Sequence, residues 1–189
     1  QVMLAVFPAV AETHYGVHNT FVIQGTMALA GVGIMFGSVL AGRWSSHYIN
    51  IGLIPLGAVG VALGLILLPQ VSSVFYQGGV FFLIGLSGAL LNVPLQAMIQ
   101  FNAGSNQTGK VLAGSNFIQN IAMLSFLVVT VLFAWAGIDG LWLLWVLAGL
   151  GVVGAVFAIR TLPQALVRVL VAALMKRKYN LQGLGFENL

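Results

Sequence analysis

From Trp44 to Gly109 the chain carries no Asp, Glu, Lys or Arg. About 20 apolar residues suffice for one helix to cross some 30 Å of hydrocarbon. This stretch is far longer, so turns must divide it into more than one crossing. Composition extends the argument to the whole molecule. Charged residues are 5% and hydrophobic residues 60%, against about 25% charged in a typical soluble domain. A water-soluble globule could not cover its surface with so few charges. A soluble enzyme, a nucleic-acid binder and a disordered tail are therefore excluded. The net charge of +4 is a small excess of cations rather than a basic patch, so no nucleic-acid partner is implied. Cysteine is absent, which removes disulfide and thiolate chemistry.

Turn signals divide the chain. Leu68-Pro69-Gln70-Val71-Ser72-Ser73 breaks one helix and starts the next. The polar run from Phe101 to Gly109 supplies another break. The reading is an all-α polytopic membrane protein with a truncated span over 1–10 and five full spans at about 20–41, 50–68, 73–98, 111–135 and 141–158. Helices satisfy their own backbone in lipid. The runs are apolar on both parities, unlike the alternating strands of a membrane barrel. Gln1 opens directly into an apolar run, and Leu189 falls within a segment that is only beginning. Both ends therefore read as cut from a longer protein.

The few charges orient the spans. With alternating crossings, Arg43, Lys110, Arg160, Arg168, Lys176, Arg177 and Lys178 fall on one side. Glu12, Asp139, His14 and His18 fall on the other, and only Glu187 shares the cationic side. The positive-inside bias makes the cationic side, and the C-terminus with it, cytoplasmic. Trp44, Tyr48, Trp135, Trp142 and Trp145 sit near span ends, as interfacial aromatics do.

Within the spans, small residues predict how the helices pack. Gly33-x3-Gly37 and Gly60-x3-Gly64 allow close backbone approach inside a bundle. The polar residues carry the functional signal. Asn92 and Gln96 share a helix face, with Gln100 four residues on. Asn116, Gln119 and Asn120 form a second amide face on the next helix, and Pro94 predicts a kink beside the first. Two readings stay open: these amides line a polar cavity, or they are hydrogen-bond glue between helices. Gln24, alone in its helix, leans toward glue, and Gln1 could face a cavity. Glu12, His14 and His18 are spaced E-x-H-x3-H. Two His at i, i+4 can hold zinc on a helix, but a solvated loop without metal is the better reading. No cofactor is implied. No carboxylate lies inside a complete span, so no proton relay can be placed there.

Gly37-Ser38-Val39-Leu40-Ala41-Gly42-Arg43 resembles the cytoplasmic loop motif of major facilitator transporters, with Gly42 where that family usually has Asp. The resemblance implies the C-terminal six-helix half of a twelve-helix transporter, its two halves packing around a midplane site. The run from Ile84 to Gln100, with Asn92-Val93-Pro94-Leu95-Gln96 at its centre, continues after a polar loop into the run from Ala113 to Ser125. Together they look like the bacterial lysophospholipid transporter family. That likeness covers the chain to about Arg160. It implies inward flipping of lysophospholipids, chiefly lysophosphatidylethanolamine, across the bacterial inner membrane. In that setting Asn92, Gln96, Asn116, Gln119 and Asn120 are substrate-cavity candidates, and Gly37 and Arg43 shape the cytoplasmic loop.

The tail extends the resemblance. Residues 161–178 read as an amphipathic helix on the membrane surface, with Arg168 within it and Lys176-Arg177-Lys178 at its end. Residues 179–189 look like the start of a glycerolipid acyltransferase domain, which in some bacteria is fused to the transporter. The implied partners are the lysolipid substrate, membrane lipids, a preceding six-helix half and that acyltransferase. The chain holds no acyltransferase His-x4-Asp motif, so it reads as a carrier rather than an enzyme. Two alternatives share these features: an exporter of drugs or small metabolites, and a non-transporting anchor for an acyltransferase.

Overall fold

The computed structural model describes residues 2–45, 50–103, 107–164 and 167. Among the described residues there are six helices and no strands: α1 Val2–Tyr15, α2 Thr20–Trp44, α3 Leu53–Leu67, α4 Val74–Asn102, α5 Thr108–Trp135 and α6 Gly140–Thr161. A short 3-10 turn, Leu68–Gln70, prolongs α3. Five of these segments are long and apolar enough to cross a membrane. The expected spans fall on these helices, with ends that move by a few residues.

The largest difference lies in the first helix. It runs through Tyr15, well past the expected end at Val10, and passes Pro8 without a break. Glu12 and His14 therefore sit on a helix rather than in a loop. The helix stops at Gly16, which takes a left-handed φ of 62°. Most of the expected surface helix 161–178, and all of 179–189, lie outside the described residues, as do Gln1 and Tyr48. Polar residues set two helix starts. Asn19 accepts from the Phe21 N–H at 3.0 Å, and Asp139 accepts from the Leu141 N–H at 3.2 Å. Each satisfies a backbone donor that the first turn of a helix leaves free. Gly137, with φ 67°, closes α5. The Ile138 N–H reaches the Phe133 carbonyl at 3.0 Å, and the Gly137 N–H reaches that of Ala134 at 3.2 Å, the paired bonds of a Schellman end.

The centre of the bundle is α4, packed on α2 along one face and on α3 along another; α3 in turn packs on α6. Glycines make both α4 contacts. A methyl group on Gly33 would strike the Phe82 carbonyl oxygen, one on Gly37 the Leu86 carbonyl oxygen, and one on Gly85 the Ala30 carbonyl oxygen. From Gly33 against Phe82 to Gly37 against Leu86 the two helices advance together, so α2 and α4 run parallel. On the other face, a Cβ at Gly57 would lie 2.6 Å from both the Leu91 nitrogen and the Ser87 oxygen. One at Gly60 would meet the Ser87 hydroxyl, and one at Gly64 the Ile84 side chain. Here the order reverses, so α3 is antiparallel to α4. Both predicted Gly-x3-Gly pairs are thus helix contacts, and Gly37 is a buried packing residue within α2. Ala58 and Ala62 of α3 pack with Ala155 of α6 in the same manner.

A larger apolar cluster closes one end. Val6, Phe7 and Val10 of α1 meet Ile23, Phe81, Leu143 and Leu144, and the Phe7 ring stands edge-on to Phe81 at 4.7 Å. In contrast, α5 has no buried residue at all. It touches α4, α1 and α6 only lightly. Chain direction then separates the charges. The end of α1 and the start of α6 meet at one pole, where His14 Nε2 pairs with Asp139 Oδ2 at 2.8 Å. Arg43 and Arg160 lie in the last turns of α2 and α6, at the opposite pole. Lys110 joins them in the first turn of α5.

Substitutions at two glycines separate contact from helix propensity. Gly85→Ala should lower stability by about 1–3 kcal/mol, because the new methyl meets backbone that cannot swing aside. Gly31→Ala, with nothing within 4 Å of the new carbon, should be neutral or stabilising by about 0.5–1 kcal/mol. Equilibrium unfolding of both variants in detergent checks the opposite signs.

Candidate functional site

The amides picked out as cavity candidates fall on α4 and α5. On α4, Asn92 and Gln100 are exposed and Gln96 is half-buried, while Pro94 between them is buried. The helix continues through Pro94 without interruption. On α5, Asn116, Gln119 and Asn120 are all exposed. Gln119 Nε2 donates to Ser115 Oγ at 3.3 Å, a bond within its own helix. Asn92, Gln96, Asn116 and Asn120 make no hydrogen bond to another described residue. Glue between helices would require bonds from one helix to another. Within this bundle these amides supply none to another described residue. Gln24 is also exposed. The two helices touch lightly, and no hydrogen bond joins the two amide sets.

An amide that does cross between elements is one the sequence reading passed over. Gln77, in the first turn of α4, is fully buried. Its Nε2 donates to the Val71 carbonyl at 2.8 Å, tying the α3–α4 connection to the helix. Its Oε1 has no partner. Gln77 lies four residues before the core residue Phe81, and that i, i+4 spacing was the available signal. The Tyr15 hydroxyl stands beside it and donates to the Pro69 carbonyl at 3.4 Å. Burial raises the Tyr15 pKa above its ordinary value, and a hydrogen bond with Gln77 partly offsets this.

The remaining charged and titratable positions lie toward the poles. His14 bonds to Asp139 across 2.8 Å, with the two side chains 34% and 45% exposed. At such exposure the pair contributes at most about 1 kcal/mol. Among the described residues no three His, Asp or Glu side chains converge on a point that could hold a metal ion. Arg43 is exposed at the end of α2, next to the exposed Gly42. What the surface of α4 and α5 offers is therefore neutral hydrogen bonding on an apolar background.

No family model matches the chain, and neither does a curated protein or a solved structure.

Tyr15 is open to a direct test. In an alkaline absorbance titration it should ionise above the ordinary tyrosine value of about 10, and Tyr15→Phe should remove that late component. The folded-state value is the raised one. Its stabilising contribution is therefore intact at neutral pH and lost as pH climbs through that value.

Proposed function

We propose that this chain is the C-terminal half of a major facilitator transporter that flips lysophospholipids across the bacterial inner membrane. The observation that carries the reading is the combination on α5. A 28-residue apolar helix buries nothing within the bundle, yet presents Asn116, Gln119 and Asn120 at its surface. Amides facing hydrocarbon with no partner on another helix are costly. They are better accounted for as one wall of a polar cavity, whose other wall is a preceding six-helix half. Asn92 and Gln96 on α4 extend that wall. Neutral amides would bind the polar head group, and the acyl tail would lie against apolar helix faces or lipid. Two half-bundles rocking about such a site give alternating access.

The separation of cations from acids supports a cytoplasmic position for the pole of Arg43, Lys110 and Arg160 under the positive-inside bias. The C-terminal segment then emerges where a fused acyltransferase could re-acylate the flipped lysolipid. The sequence runs from Ile84 to Gln100 and from Ala113 to Ser125 are what favour lysophospholipids over drugs or small metabolites.

Inward flipping of labelled lysophosphatidylethanolamine by the intact protein in vesicles should fall at least tenfold in the double variant Asn92→Leu plus Gln119→Leu. Undiminished flipping would remove the cavity assignment. Inhibition by soluble drugs would favour an exporter. Re-acylation of lysolipid supplied on the cytoplasmic side, with no flipping, would favour a non-transporting anchor.

A further inference from the structure

At the pole opposite the cations, an open cleft of about 390 Å³ is lined by Asp139, Leu141, Trp142 and Trp145. We propose that this cleft holds the ammonium head of a zwitterionic phospholipid. The site is separate from the amide faces of α4 and α5, and it does not depend on the transport reading.

The chemistry of the lining selects the ligand. A carboxylate beside two indoles is the combination that recognises an organic ammonium group, through charge and through the electron-rich ring faces. Asp139 has capacity to spare. Its Oδ1 accepts from the Leu141 N–H at 3.2 Å and its Oδ2 from His14 at 2.8 Å, whereas an ionised carboxylate offers about four acceptor positions. Its side chain is 45% exposed, so a ligand can reach it. The indoles are free as well: Trp142 is 66% and Trp145 47% exposed. Their direction is fixed by the residues between them. Leu143 and Leu144 are buried to 2% and 1% exposure, which turns the tryptophan face of α6 outward.

Two observations point to a lipid rather than a soluble amine. The cleft opens at the start of a 22-residue apolar helix. Beneath it, the same outward face continues through Val146, Gly149, Val153 and Phe157, all exposed, at helical spacing. Gly149 has nothing within 4 Å of where a side chain would begin, leaving a shallow track for an acyl chain. Charge argues against an anionic lipid. Among the described residues this pole carries Glu12 and Asp139 but no Lys or Arg.

Binding can be read from the tryptophans themselves. In the full chain carrying Trp44→Phe and Trp135→Phe, only the two cleft indoles remain. In uncharged maltoside micelles, lysophosphatidylethanolamine should change their fluorescence saturably. Lysophosphatidylglycerol and free ethanolamine should bind at least tenfold more weakly. Asp139→Asn keeps a good helix cap and should weaken binding at least tenfold. His14→Gln breaks the ion pair but leaves the carboxylate, and should stay within twofold. Trp142→Leu, at an exposed position, should also lose binding while thermal unfolding stays unchanged. Equal response to lysophosphatidylglycerol would overturn the proposal, as would unchanged affinity in Asp139→Asn. So would equal affinity for ethanolamine alone, or a loss in His14→Gln matching that in Asp139→Asn. None of these outcomes bears on flipping, so this site and the transport reading can fail separately.

Discussion

Backbone-to-backbone contact around α4 is the constraint on which the rest of this bundle depends. In lipid, burying apolar side chains against one another gains little over leaving them among acyl chains. Association must come from close packing. Gly33, Gly37 and Gly85 bring α2 and α4 together at carbonyl oxygens; on the other face Gly57 meets α4 backbone, and Gly60 and Gly64 make room for the Ser87 and Ile84 side chains. Replacing hydrogen by methyl at any of these positions removes the space that holds three helices in register. The direction of those contacts, parallel on one face and antiparallel on the other, also sets which helix ends share a pole.

Once α4 is enclosed by α2 and α3, α6 packs on the far side of α3, and α1 covers the apolar cluster around Phe81. That leaves α5 at the edge, without a buried residue. Its amides are then exposed by architecture rather than by their own polarity. The same arrangement creates a second surface of a different kind at the start of α6. There Asp139, Trp142 and Trp145 stand clear of the core because Leu143 and Leu144 occupy it. One surface is neutral and lies along the helices; the other is acidic and aromatic and lies at a pole.

Much of this was legible along the chain. The Gly-x3-Gly spacings located real helix contacts, because close approach is a property of small residues at helical period. The charge sorting anticipated the two poles, because helices that alternate in direction carry their ends with them. Other features were hidden. The extension of α1 to Tyr15 depends on Val6, Phe7 and Val10 finding a core built by residues far along the chain. Gln77 reads as an isolated amide until the fold buries it beside Val71. The pairing of His14 with Asp139 joins residues more than a hundred positions apart, and no local pattern could announce it. The amides could be placed on helix faces from spacing, but whether they bonded to a neighbouring helix depended on where that neighbour lay.

The sequence by itself determined a chain of helices apolar enough to cross a membrane, the approximate extent of each, and the separation of cations from acids. These follow from composition, from turn residues and from the thickness of a bilayer, all of which act locally or as averages. Only the tertiary structure decided which helix is enclosed, which is left at the edge, and which polar side chains find partners. Those outcomes depend on contacts between distant segments, fixed by the few glycines around α4 that let two backbones meet.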